Sequence, residues 1–306
     1  MNYINQLRAV LRASGWTQEE LASQLKVSFV TLNSWINNKA VPRKKALEAI
    51  RLMYFQVLGA DSLDIGYLEE LKERVGSLKI KLSQITDNKE VLDNLILHLT
   101  YHTNVIEGST MTIDDTKAVL FENKILTNRT QVEQLEARNH RAALIWLLSE
   151  LQNSSFVINK DLIQGLHLRL MNGIIENAGI YRNHSVRIMG SHVAVANYLR
   201  IPELIKELLN KIDTEFSEED IINQLSVTHA VFEKIHPFSD GNGRVGRLLM
   251  LAQAIKADIV PPLVLKERRV AYYKYLEIAQ TDNNPVPLQA FIAESIISAN
   301  RVLFTK

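Results

Sequence analysis

Twelve consecutive residues, His236-Pro237-Phe238-Ser239-Asp240-Gly241-Asn242-Gly243-Arg244-Val245-Gly246-Arg247, bring a base, a carboxylate, a glycine-rich turn and two guanidinium groups together. Histidine titrates near neutrality and is the commonest general base. Gly241-Asn242-Gly243 lets the backbone take positive φ and pass close to a ligand. The amides of a helix starting there, with the positive end of its dipole, suit phosphate. Arg244 and Arg247 lie three apart on one face of that helix and add charged donors. Asp240 offers a hard oxygen at the same edge; Mg2+ is usually held by one or two carboxylates plus substrate phosphates, so one Asp beside a phosphate nest suffices. The set describes phosphoryl or nucleotidyl transfer to a group that His236 deprotonates. No Gly-Lys-Ser/Thr follows the glycines, which excludes a P-loop.

Such a site needs two helices with a loop between them. Ile222, Leu225, Phe232 and Ile235 recur at helical spacing and predict a helix that delivers His236 at its end, where Pro237 stops it. Val245 to Ala254 predicts an apolar helix after the glycines. Helical periodicity dominates the rest, and strand-like alternation is confined to Val186 to Val195. The fold class is therefore mainly α with one small β-hairpin, in which Val186, Arg187 and Ile188 turn at Gly190-Ser191 toward Val193 to Val195. Another helix is predicted from about Lys89 to Glu107, with Asp87 or Asn88 as cap and Gly108 just past its end. Glu107 is out of place there, since a carboxylate in a helix's last turn opposes the macrodipole and needs a cation.

The twelve-residue segment matches, without a departure, the signature His-x-Phe-x-Asp/Glu-Gly-Asn-Gly-Arg-x-x-Arg of the Fic family, which it resembles. The resemblance extends over about residues 95 to 300, including Tyr181-Arg182, Val186-Arg187-Ile188-Met189-Gly190-Ser191 and a helix start at Pro202. It implies transfer of AMP from ATP to a Ser, Thr or Tyr hydroxyl of a target protein, this chain itself included. In that case His236 is the base, Asp240 holds Mg2+, Asn242 contacts the α-phosphate, and Arg244 and Arg247 contact the β- and γ-phosphates. Phe238 is then an anchor in the core. Thr103-Asn104-Val105-Ile106-Glu107-Gly108 resembles the family's inhibitory motif, which implies that Glu107 pairs bidentately with Arg247 and blocks the γ-phosphate from within the same chain. Residues 186–195 resemble the family's flap, whose edge pairs with an extended segment of the target. The alternatives are removal of AMP, transfer of another nucleotidyl or phosphoryl group, and a DNA-binding regulator that senses nucleotide.

The N-terminal segment reads differently. An apolar helix precedes Thr17-Gln18-Glu19-Glu20-Leu21-Ala22, where Thr17 and Glu20 make a capping box for a second helix. A third helix starts at Ser28 and ends near Asn37. Together they form a helix-turn-helix that resembles the phage-repressor-like family. The resemblance makes Thr31, Asn33, Ser34 and Asn37 the candidates to face bases, with Lys39, Arg43, Lys44 and Lys45 along the phosphates of double-stranded DNA. No Arg or Gln projects between Ser28 and Asn37, and Phe29, Val30 and Leu32 make the recognition helix unusually apolar. A docking or dimerisation module is the other reading.

Composition sets the outer bounds. The chain has 306 residues, 46% hydrophobic and 23% charged, and no cysteine, which excludes disulfides, thiol nucleophiles and Cys-ligated zinc. Its formal charge of +1 conceals eight Lys/Arg against three Asp/Glu in residues 1–57, so that a polyanion-binding surface belongs at that end. No apolar h-region with a cleavage site opens the chain and no 18 apolar residues run together, so the expectation is a cytoplasmic protein without a membrane partner. Leu58-Gly59-Ala60-Asp61-Ser62 reads as a break after the basic segment. The expected organisation is a helix-turn-helix module over 1–57, a helical connector over 58–90, and a Fic-like domain over 91–306, with a homo-oligomer allowed.

Overall fold

The computed structural model describes residues 2–58, 65–188, 190–214 and 220–304. They form α1 (Tyr3–Ser14), α2 (Gln18–Gln24), α3 (Phe29–Ile36), α4 (Lys44–Leu58), α5 (Ile65–Gly76), α6 (Leu82–Thr86), α7 (Lys89–Ile106) and α8 (Ile113–Phe121). There follow α9 (Gln131–Leu151), α10 (Lys160–Met171), α11 (Ile201–Thr214), α12 (Ile221–Ile235), α13 (Asn242–Lys256), α14 (Arg269–Thr281) and α15 (Val286–Leu303). Local chemistry sets most of the starts. Thr17, Thr112 and Thr130 each accept from the amide three residues on, and Glu20, Asp115 and Glu133 bond back to complete three capping boxes. Asn88 caps α7, and Gly108 at φ 113° ends it.

α13 occupies the centre. It is buried all round from Arg244 to Ile255, as expected of a helix whose surface is apolar on every side. α7, α9, α10 and α12 surround it. Ahead of this body, α1 packs on α4 and α2 on α3, which is the helix-turn-helix arrangement. The connector is a helix pair: α5 lies along α15, α6 along α7, and an isolated antiparallel bridge joins Lys79 to Ile259. The break expected at residues 59–62 lies outside the described residues.

The module meets the body through charge pairs centred on the buried Arg268, with Glu48, Arg51 and Glu294 half-buried around it. Arg268, in a 3-10 turn just before α14, pairs with Glu48 of α4 at 2.9 Å and with Glu294 of α15 at 2.6 Å. Glu294 also receives Arg51 of α4 and the Tyr67 hydroxyl of α5. Arg268 lies 4.2 Å over the Phe291 ring.

The expected hairpin is absent among the described residues. Residues 186–188 and 190–195 carry no ladder, and Met189 lies outside the described residues. The second arm is claimed elsewhere: His192 N–H donates to Glu277 Oε1, and just past the arm Ala196 N–H donates to the Lys234 carbonyl. Only the Ser191 N–H to Ile188 carbonyl turn bond, at 3.4 Å, survives from the hairpin reading. Among the described residues, no helix is long and apolar enough to cross a membrane.

Candidate active site

α12 ends at His236, which takes a left-handed conformation at φ 50° and turns the chain out of the helix. The orphan carbonyls of that end are gathered by one buried side chain. Arg182 donates to the carbonyls of His236 at 2.7 Å, Ala196 at 2.6 Å, His184 at 2.7 Å and Ile235 at 3.4 Å. His236 Nδ1 faces the Glu233 carbonyl at 3.3 Å, which selects the tautomer with a proton on Nδ1 and a lone pair on Nε2. Nε2 has no hydrogen-bond partner among the described residues. Burial holds the imidazole below its ordinary pKa, so it is neutral and able to accept a proton at pH 7.

Beyond His236 the loop is pinned from three directions. Phe238 is fully buried and stacks on His167 of α10, ring centroids 3.6 Å apart. His167 accepts from the Gly179 amide at 2.7 Å, so its other nitrogen carries the proton it gives to the Asp240 carbonyl at 3.0 Å. Asn242 closes the loop on itself: its amide donates to the Phe238 carbonyl and its oxygen accepts from the Phe238 N–H, both at 2.9 Å. The Asn242 side chain expected at a phosphate is therefore spent on the backbone. What the pinning leaves over is the first turn of α13. The N–H groups of Asn242, Gly243 and Arg244 have no acceptor among the described residues, which leaves three free donors at a helix start, an end whose charge favours anions.

The two glycines serve different needs. Gly241 takes φ 75°, as expected. Gly243 is helical instead, and it is small because a Cβ there would stand 2.5 Å from Glu107 Oε1 and 3.1 Å from Arg247 Nη1.

The arginines diverge. Arg244 donates to Glu136 of α9 at 2.6 Å and lies 3.7 Å from Asp240 Oδ2. Arg247 donates through Nε to Thr103 Oγ1 at 2.9 Å and through Nη2 to Glu107, while Nη1 has no partner among the described residues. The expected Glu107–Arg247 pair is present but not bidentate, because the Arg247 fork is divided between Thr103 and Glu107. Asp240 is largely exposed, its Oδ1 accepting from the Gly241 amide at 2.6 Å.

A cavity of about 260 Å3 is lined by His236, Gly243, Arg247, Glu107, Tyr272 and Glu233, with Ile188, Gly190 and Ser191 on its rim. Asp240, Gly241, Asn242, Arg244, Thr103, Val186 and Arg187 are not among its lining residues.

Sequence reasoning passed over Glu233. It is 6% exposed, its Oε1 has no hydrogen-bond partner among the described residues, and burial pushes its carboxyl up to about 8, so it keeps its proton at neutral pH. Beside it, His229 and the Tyr272 hydroxyl are 2.6 Å apart. An acid one helical turn before the base, on a helix with an apolar period at Ile222, Leu225, Phe232 and Ile235, was a usable signal. Glu136 and His167 gave none, since each meets the loop only through the fold.

At the N-terminus the candidate base readers are mostly engaged locally. Thr31 Oγ1 lies 2.8 Å from Ser28 Oγ, Asn33 donates to Gln18 at 3.2 Å, and Asn37 donates to Asn33 Oδ1 at 3.0 Å. Ser34 is half-buried, while Lys39, Arg43, Lys44 and Lys45 are exposed.

Comparison with known proteins agrees with this geometry. Residues 157–254 match the Fic/DOC family model, and residues 7–51 match a helix-turn-helix model. Proteins named "Protein adenylyltransferase Fic" are similar over most of the chain. The one from Aedes aegypti is 28% identical over 233 residues, covering 72% of this chain and 45% of its own length. The one from Nematostella vectensis is 30% identical over 224 residues, covering 71% and 51%. The chain thus spans about half the length of the curated relatives it matches. A fragment of Fic-1 from C. elegans superposes with a TM-score of 0.64 at 23% identity, covering 93% of this chain and 84% of that one, and so shares the fold. The chain carries a Fic/DOC-family domain, with the loop from His236 to Arg247 joining α12 to α13 inside it, behind an N-terminal helix-turn-helix.

Proposed function

We propose that the protein is an autoinhibited protein adenylyltransferase, transferring AMP from ATP to a Ser, Thr or Tyr hydroxyl of a target protein or of itself. The observation that carries this reading is the neutral Nε2 of His236 in the same cavity as Arg247 and the first turn of α13. Nε2 takes the proton of the target hydroxyl, and the oxygen attacks the α-phosphorus. The bond from that phosphorus to the β-phosphate oxygen breaks, and pyrophosphate departs. Charge developing on the phosphates meets the free amides of Asn242, Gly243 and Arg244 and the arginines, positioned before the reaction starts.

Asp240 fits Mg2+ as a single exposed carboxylate next to the nest, and no cluster of three or more metal-binding side chains exists among the described residues. When bound, the ion would neutralise phosphate charge. The arms of residues 186–195 have free backbone groups, which supports docking of the target as an added strand.

Glu107 supplies the inhibition in this reading. It occupies Arg247 and leaves a cavity smaller than the roughly 300–1,000 Å3 of ordinary small-molecule sites. The helix-turn-helix binds duplex DNA, and the cysteine-free chain works in a reducing compartment such as the cytoplasm.

The test uses α-labelled ATP with Mg2+ on wild type, Glu107→Gly and Glu107→Gly/His236→Ala. Label should reach protein with Glu107→Gly and fall by about 10²–10⁴ when His236 is also removed. No label from any variant, even with cell lysate as target, would transfer the case to AMP removal or nucleotide sensing.

A further inference from the structure

The first turn of α3 presents two adjacent apolar side chains to solvent. Phe29 is 44% exposed and Val30 75%, although the rest of the apolar surface of α3, at Leu32, Trp35 and Ile36, is buried in the module. Single exposed apolar residues need no explanation; a pair on the leading turn of a recognition helix does. In helix-turn-helix proteins the N-terminal residues of that helix meet base edges in the major groove. Two polar side chains of this helix are turned to other work, with Thr31 bonded to the Ser28 cap and Asn33 held between Gln18 and Asn37, while Ser34 is half-buried. In the same module Lys26, just before α3, and Lys39, Arg43 and Lys45 after it are exposed, and none forms an ion pair among the described residues. A basic module with an apolar tip complements a groove walled by phosphates, and is a poor match for a second copy of itself.

One group in the major groove is apolar, the C5-methyl of thymine. A phenyl or isopropyl group set against guanine or cytosine instead strips water from N7, O6 or the N4 amino group and returns no hydrogen bond. We propose that Phe29 and Val30 read thymine methyl groups, while exposed cations of the same module contact phosphates, so that the preferred duplex carries thymine where these two side chains sit. The proposal rests on the reading that the module binds DNA.

Duplexes of about 30 base pairs, three helical turns, are enriched from a randomised pool by the full chain. The winners are resynthesised with uracil in place of thymine, which removes the methyl group alone. Affinity should fall about fourfold for each buried methyl group removed, the equivalent of about 0.8 kcal/mol per buried methylene. In Phe29→Ala/Val30→Ala the thymine and uracil duplexes should bind alike, and the slope of affinity against salt should stay as in wild type, because the cations remain on the phosphates. Both side chains are exposed, and unchanged thermal unfolding of the variant verifies that the fold persists. Equal wild-type affinity for the two duplexes, or a winning site without thymine, overturns the proposal while DNA binding stands. Failure to bind any duplex overturns DNA binding itself. If the double substitution abolishes self-association and leaves the thymine preference intact, the pair is a protein contact and the proposal fails.

Discussion

The starts of α13 and α3 invite comparison, because each follows a short loop, each is proposed to meet phosphate-bearing ligands, and each carries asparagine where a ligand-reading side chain was expected. At α13 the loop is buried, and Asn242 holds both backbone groups of Phe238. At α3 the helix is exposed, and Asn33 is held between Gln18 and Asn37. In both places the asparagine is engaged within the protein, with backbone groups at α13 and with side chains at α3, and what is left for a ligand is the remainder. At α13 the remainder is three free amides, suited to an anion. At α3 it is a phenyl and an isopropyl group, suited to a methyl. The same asparagine chemistry therefore yields two different surfaces, decided by which neighbours are left unpaired.

Asn242→Ala is the strongest way to break this comparison. It leaves a buried N–H and a buried carbonyl unpaired at about 1–3 kcal/mol each. For a chain of this size the expected fall in Tm is on the order of 5–10 °C, read by calorimetry. Were the side chain a phosphate ligand alone, Tm would stay and only the KM for ATP would rise.

Glu233→Gln sharpens the α13 side. The folded chain holds the Glu233 proton up to about pH 8, whereas an unfolded chain releases it at roughly 4.3. Wild type therefore loses stability relative to the Gln variant as pH rises through that window, and the gap is constant above it. Thermal melts from pH 5 to 9 should show the variant's advantage widening to about pH 8. A gap independent of pH would mean an ionised Glu233 already shared with Arg247.

The smallest effect is expected from Asn33→Ala. Removal of its bonds to Gln18 and Asn37 at a half-exposed site costs about 1 kcal/mol or less. The ratio of affinities for thymine and uracil duplexes should not move. A change in that ratio would return base reading to Asn33.

Legibility followed the range of each interaction. The capping of α2 by Thr17 and Glu20, and of α7 by Asn88, is local and readable residue by residue. So is the delivery of His236 by α12, since apolar spacing and Pro237 suffice. The pairing of Glu107 with Arg247 spans 140 positions, and only resemblance to a family joins them in advance. Even then the division of the Arg247 fork is hidden, because Thr103 enters from one turn earlier on α7. The role of Arg182 depends on carbonyls brought together by tertiary packing, and alternation at 186–195 predicts a ladder, whereas His192 N–H bonds to Glu277 of α14 and Ala196 N–H, just past the stretch, to Lys234 of α12. Periodicity states which face is apolar; it does not state who receives the backbone bonds.

The charge cluster around Arg268 and Glu294 bears on how such proteins are assembled from parts. Glu48 and Arg51 belong to the N-terminal module, Tyr67 to the connector, and Arg268 and Glu294 to the body, so five residues from three segments meet in one set of charge pairs around the buried Arg268. A body separated from its first helices would keep Arg268 paired with Glu294 at 2.6 Å while each lost its second partner, Glu48 or Arg51, so contacts across the seam would go without leaving an unpaired charge. An unrelated leading module would give up these contacts unless it brought its own acid to Arg268 and its own base to Glu294. The leading module and the body are fitted to each other at this seam.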